Sequence, residues 1–203
     1  MACYNADGGF DVGRVRQDFP ILGCQIHGKP LVYFDSGASA QKPRSVIDAM
    51  TEVLEDQYTN VHRGAHYLSQ TLTDRYEGVR GTIARLLNAP HEDNVVITRN
   101  TTESINLVAA TYGRTNLRAG DGIVISAMEH HANIVPWQLL RDELGIDLKV
   151  APIDDRGVLD LDVYSMLLDQ GTKLVAMTHC SNVLGSFTPA KDIVRLAHER
   201  GIP

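Results

Sequence analysis

Three short clusters of chemistry-bearing residues each stand directly behind an apolar run. Asn100-Thr101-Thr102-Glu103 follows NVVIT (94–98), and Met128-Glu129-His130-His131-Ala132-Asn133 follows GIVIS (122–126). The third, Thr178-His179-Cys180-Ser181-Asn182-Val183-Leu184-Gly185, continues out of the run that begins at Lys173. If the first cluster opens a helix, its free N–H groups, partial positive charge and hydroxyls suit an anion such as a phosphate. The same residues read equally as an ordinary capping box, with Glu103 three residues beyond Asn100. In the second cluster two histidines and a glutamate bring a metal to mind. Adjacent histidines do not face the same way on a helix, however, and no HxxxH partner is evident. His62 and His66 are four apart, but Gly64 lies between them in a loop, so no metal site is expected. An imidazole that catalyses or stacks on a ligand is one reading of His130, and a solvated side chain is the other. In the third cluster the Asn182 amide can donate a hydrogen to a phenolate or carbonyl oxygen. Its alternative is a polar turn in which Gly185 takes a left-handed conformation. His179 and Cys180 are neighbours on an extended segment and point to opposite faces, which argues against a Cys-His nucleophile pair. Cys180 is therefore expected to be a small buried residue.

The surrounding pattern shows what must position these clusters. A short helix is expected near 12–18. Leu31 to Phe34 forms an apolar run ending in the turn signal Asp35-Ser36-Gly37. Pro43 suits a first helical turn, and Val46, Ile47, Met50, Val53 and Leu54 follow at helical spacing. Residues 59–68 read as a loop. A long helix then carries Leu72, Tyr76, Val79, Ile83 and Leu86 on one face until Pro90 stops it. Beyond it strands and helices alternate. Strands are expected at 94–98, 122–126, 148–153 and 173–178. Helices are expected from Asn100 to Tyr112 and at 132–144, 160–168 and 190–200, with Gly201 as the last cap. That alternation argues for an α/β fold with a mostly parallel sheet. In open sheets of this kind ligands bind beyond the carboxyl ends of the strands. Three polar clusters at three strand ends can therefore converge on one ligand.

Composition narrows the partners. The 203 residues are 43% hydrophobic, which suffices for a packed core, and the net charge is −6 with both signs interspersed. A nucleic-acid or anionic-membrane surface would need clustered Lys and Arg, so neither is expected. No apolar run reaches the length of a membrane span. Residues 1–10 lack the basic and apolar regions of a signal or transit peptide, so a cytoplasmic location is expected. Cys3, Cys24 and Cys180 are odd in number and widely spaced, which fits neither a disulfide framework nor a zinc ribbon.

The ordered stretches YFDSGASAQKP (33–43), NVHRGAHYLS (60–69), TRNTTESINLVA (98–109), AGDGIVISAMEHHANIVPWQ (119–138) and THCSNVLG (178–185) resemble the cysteine desulfurases of the sulfur-mobilisation type. These are class V aminotransferase-like enzymes of the fold type I pyridoxal-phosphate group. The resemblance covers about residues 12 to 203, and Gly37 and Cys180 depart from it where alanine and an aliphatic residue are usual. It implies an α/β fold: part of the fold type I large domain, mostly parallel sheet with flanking helices, over 31–203, after an N-terminal arm over 1–30. It implies that Thr101 and Thr102 bind the cofactor phosphate, that His130 stacks on the pyridine ring and moves protons, and that Asn182 bonds the phenolic oxygen. His62 and Arg63 match a loop near the active-site entrance.

The resemblance also implies pyridoxal 5'-phosphate as cofactor, L-cysteine as substrate, a sulfur-acceptor protein as partner for iron–sulfur cluster or other sulfur delivery, and a homodimer. The family's ring-nitrogen aspartate, Schiff-base lysine, sulfur-accepting cysteine and carboxylate-binding arginine all lie further along the chain than residue 203. The 203 residues are accordingly expected to be the front half of a family member and inactive alone. Selenocysteine lyase or another class V aminotransferase-like enzyme is one alternative, and a non-catalytic fragment or one part of a split protein is the other.

Overall fold

A computed structural model describes residues 3–5 and 7–203, which form two compact units, one ending at Val96 and the other spanning Ile97–Pro203. In the first unit, α1 (Val12–Gln17) is capped by Asp11, whose carboxylate accepts the Arg14 N–H at 2.9 Å. Strands β1 (Gln25–Ile26) and β2 (Lys29–Pro30) form a small antiparallel hairpin. Its two connecting residues, His27 and Gly28, both have positive φ, as a two-residue turn that follows the strand twist requires. The apolar run from Leu31 pairs with no strand among the described residues, and Phe34 is 95% exposed.

Pro43 is the N-cap of α2 (Arg44–Glu52), which runs on through a wider turn at Val53–Gln57. The loop over 59–66 leads into α3 (Tyr67–Leu87), and buried Ser69 knots the two together. Its hydroxyl donates to the Asn60 carbonyl at 2.8 Å and accepts the Gly64 N–H at 3.0 Å. A Cβ at Gly64 would overlap the Ser69 side chain, so the close approach needs glycine there. The expected stop at Pro90 is made earlier, by Asn88 in the left-handed conformation. Nor is the apolar stripe of α3 a buried face: Tyr76, Val79 and Leu86 are exposed, while Ser69 and Ala84 are buried. The strand expected at 94–98 is also absent. Glu92–Asn94 form a 3-10 turn, and residues 95–98 pair with no strand among the described residues, with Val96 68% exposed.

The second unit is a three-layer α/β arrangement. It opens with α4 (Thr101–Val108), which continues through a wide turn at Ala109–Gly113 into α5 (Arg114–Asn116). Then follow β3 (Gly122–Ser126), α6 (Val135–Leu144), β4 (Asp147–Ala151), α7 (Leu161–Leu167), β5 (Thr172–Val175) and α8 (Ala190–His198). The three strands are parallel in the order β4-β3-β5, so β3 is central and all five of its residues are buried. Its side chains alternate between two cores. Ile123 and Ile125 pack with Ala109, Leu117, Trp137 and Leu140 on one face, and Val124 packs with Tyr164, Leu168, Ile193 and Ala197 on the other. β5 is shorter than expected, and at its last residue the Val175 N–H donates to the Pro203 carbonyl at 3.0 Å.

Gly122 leaves room for Lys149 of β4 to reach across β3, since a Cβ there would lie 2.9 Å from the lysine Cε. The Lys149 ammonium meets both Asp169 oxygens at 2.7 Å and holds that carboxyl below the usual carboxylate range. Outer strand β4 and the loop before β5 are thereby joined over the glycine of the strand between them.

Tyr164 is fully buried, and its hydroxyl donates to the Ile193 carbonyl at 2.9 Å. Burial pushes its pKa up to about 12, partly offset by Arg200. A raised pKa means that its contribution is complete below the unfolded value near 10 and fades as pH rises through about 12. Tyr164→Phe is expected to lose about 1 kcal/mol at neutral pH, the net worth of one hydrogen bond. It is also expected to lose less stability than the wild type between pH 10 and 12. Urea unfolding at stepped pH measures both.

Candidate active site

The second and third polar clusters follow the carboxyl ends of β3 and β5, and the first opens α4, which packs against the turn after β3. Asn100 is the N-cap of α4, with its side-chain oxygen accepting the Glu103 N–H at 2.9 Å. Glu103 reaches back one residue further than a standard capping box, to the Arg99 N–H at 2.7 Å and the Arg99 guanidinium. The Arg99 guanidinium, with the backbone N–H second, holds the Glu103 carboxyl below its ordinary range. Asn100 and Glu103 are thus occupied in shaping the helix start. Thr101 and Thr102 are exposed there, and among the described residues neither their N–H groups nor their hydroxyls donate to a protein acceptor. That leaves a cluster of donors on a helix N-terminus.

The segment after β3 turns sharply through a 3-10 turn at His131–Asn133, against which α4 packs. His130 precedes this turn and is exposed, with Nδ1 accepting the Ala132 N–H at 3.1 Å and Nε2 left without a partner among the described residues. The imidazole lies edge-on to His131, with ring centroids 6.1 Å apart. Among the described residues no three metal-capable side chains converge.

After β5 the chain forms a hairpin, with Cys180 bridged to Phe187 and Asn182 exposed at the tip. Ser181 is buried and builds that tip: its hydroxyl accepts the Val183 and Leu184 N–H groups, and its carbonyl accepts that of Gly185. Gly185 has the expected positive φ. Thr188 fixes the base, its hydroxyl 2.8 Å from the Thr178 carbonyl. Cys180 is not the buried residue expected from sequence; it is exposed. The hairpin pairs it through an isolated bridge to Phe187, outside the packed parallel sheet. His179 instead packs edge-on against Phe187 at 5.6 Å.

Glu129, Asn133 and Trp137 are the residues that sequence reasoning missed. The Glu129 Oε1 accepts the Ser126 hydroxyl at 2.6 Å and the Thr178 N–H at 2.8 Å, while Oε2 accepts the Asn133 amide at 2.8 Å. Asn133 donates again to the Ala176 carbonyl at 3.0 Å and accepts the Trp137 indole N–H at 2.9 Å. The signal was present in sequence as a spacing of four, 129-133-137, directly behind a buried strand and leading to the single tryptophan. His62 and Arg63 lie in the first unit, where the His62 N–H donates to the Thr73 hydroxyl and its ring sits edge-on to Tyr76.

The family profile described as aminotransferase class-V matches residues 32–203. The chain belongs to the class-V aminotransferase family. It is 50% identical to a cysteine desulfurase of Synechococcus elongatus, over 95% of this chain and 31% of that protein. It is likewise 50% identical to a cysteine desulfurase of Shigella sonnei, over 95% of this chain and 47% of that one. The apo cysteine desulfurase of Thermococcus onnurineus superposes with a TM-score of 0.84 at 37% identity, covering 94% of this chain and 46% of that structure. The chain therefore spans about a third to a half of the relatives it matches. The α/β arrangement with its parallel sheet is that of the family's pyridoxal-phosphate cysteine desulfurases.

Asn100→Ala is expected to cost about 1 kcal/mol, the usual loss for a removed N-cap, whereas Asn100→Ser keeps most of it. Urea unfolding midpoints of the three proteins check this order.

Proposed function

We propose that this chain supplies the phosphate-binding and ring-facing side of a pyridoxal 5'-phosphate site in a cysteine desulfurase. The observation that carries the reading is the set of unused donors on Thr101 and Thr102, on a helix start that packs against the turn following His130. A phosphate dianion fits such a set, because N–H groups, hydroxyls and the helix dipole all favour negative charge. The other candidates suit the remaining parts of the cofactor. His130 has an Nε2 with no partner among the described residues on an imidazole fixed through Nδ1, which fits a group that lies on a ring and holds or passes a proton. Asn182 has an exposed amide at the hairpin tip, which fits a donor to the phenolic oxygen.

When bound, the cofactor supplies an electron sink for the α-carbon of an amino acid. In this reading Thr101 and Thr102 anchor the phosphate, Asn182 orients the ring in its plane, and His130 covers one face and moves a proton at its Nε2. The substrate is L-cysteine, converted to L-alanine, with the sulfur passing to an enzyme thiol and then to an acceptor protein. What supports cysteine is the likeness to cysteine desulfurases at about half identity.

The phosphate assignment has a direct check. Pyridoxal 5'-phosphate is expected to bind the chain, and Thr101→Ala with Thr102→Ala to weaken it by roughly tenfold or more, the scale of one charge-assisted hydrogen bond. Pyridoxal, which lacks the phosphate, is expected to bind both proteins alike. Equal losses for the two ligands would overturn the assignment.

The activity is checked by replacing the matching segment of the Shigella sonnei enzyme with this chain. The chimera is expected to form alanine from L-cysteine, and His130→Ala to lower the rate by about a hundredfold or more. A folded, cofactor-loaded chimera that forms no alanine would sink the reading.

A further inference from the structure

We propose that Glu129 is a positioning residue that sets the orientation of His130 and of the hairpin carrying Asn182. The consequence for the cofactor rests on the reading above. The positioning itself rests on a hydrogen-bond lock whose polarity is fixed from one end.

Trp137 can only donate, so Asn133 must turn its Oδ1 toward the indole N–H. That choice sends the Asn133 amide nitrogen to the Glu129 Oε2 and to the Ala176 carbonyl, which commits both of its hydrogens. The Glu129 Oε1 faces two more donors, the Ser126 hydroxyl and the Thr178 N–H. Both carboxylate oxygens must therefore accept. An amide at position 129 would set its –NH2 against a donor in either orientation, and one half-buried donor would lose its acceptor.

The donors come from three separate places: Ser126 ends β3, Thr178 follows β5, and Asn133 leads into α6. The carboxylate thus fastens the ends of two neighbouring strands to the start of a helix, and with Asn133 it brackets the five-residue stretch 129–133 that includes His130. Because the His130 Nδ1 is bound to the Ala132 N–H of that same stretch, the ring orientation and the Nε2–H tautomer follow from how residues 129–133 are held. Through Thr178 the lock also fixes the hairpin base, since the Thr178 hydroxyl donates to the Cys180 carbonyl at 2.9 Å.

A carboxylate that merely supported the fold would show in stability alone. The test is therefore spectroscopic, on the chain with 15N-labelled histidine, comparing the wild type with Glu129→Gln and with Tyr164→Phe. The last loses one buried hydrogen bond in the other core and serves as the stability control. The wild type is expected to show the His130 Nδ1 as an acceptor in a single tautomer. Glu129→Gln is expected to mix the tautomers and to weaken pyridoxal 5'-phosphate binding by about tenfold. Tyr164→Phe is expected to change neither. Unchanged His130 signals in Glu129→Gln, or the same change in Tyr164→Phe, would overturn the proposal. Should Glu129→Gln fail to fold, Asn133→Ala breaks the lock at its other end and is held to the same outcomes. If the wild type binds no pyridoxal 5'-phosphate, the cofactor reading falls, and the His130 tautomer still decides the positioning.

Discussion

The second unit depends on one strand that has water on neither side. β3 is buried at every residue, so each face needs its own layer of helices and each edge its own strand. Ile123 and Ile125 draw in α6 and the turn after α4, whereas Val124 draws in α7 and α8. A central parallel strand buried on both faces is the usual condition of such sheets. Here it also fixes where chemistry can stand. Polar side chains are admitted to the middle of the unit only where the strand ends.

Ser126 is the point at which the apolar run gives way, and it is itself 1% exposed. A hydroxyl so deep needs a partner, and Glu129 supplies it. The carboxylate in turn needs further donors, which arrive from Thr178 and Asn133. A requirement of the core, that buried polar groups be paired, thereby becomes a device that ties two strand ends and a helix start together. His130 and the Asn182 hairpin extend outward from that tie, and the exposed donors of Thr101 and Thr102 stand on the helix that packs against the same turn.

Much of this order was legible in the sequence. The strand GIVIS, the cap at Asn100 and the turn glycine Gly185 all read correctly, because each is a local preference of a few residues. The five ordered motifs likewise carried the family resemblance without any geometry. The failures share a cause. NVVIT has the composition of a buried strand, and α3 has an apolar stripe at helical spacing, but a strand needs a partner and a stripe needs a surface to cover it. Neither pattern specifies the partner, and the described residues supply none for 95–98. Cys180 fails similarly, since free cysteines are usually covered and nothing local records that it stands on a hairpin held by an isolated bridge, with its thiol exposed.

What the sequence by itself determined is the alternation of elements, the polarity of their ends and the membership of a family, all of which depend on residue type and spacing along the chain. What only the tertiary structure decided is which ends meet. The Thr178 N–H reaches Glu129 across 49 residues, and Asn133 reaches the Ala176 carbonyl across 43. Hydrogen bonds over such separations depend on strand order and on the direction of each side chain at the sheet rim. Glu129 therefore reads in sequence as one more acidic residue beside two histidines, and in the folded chain as the group that ties two strand ends to a helix start.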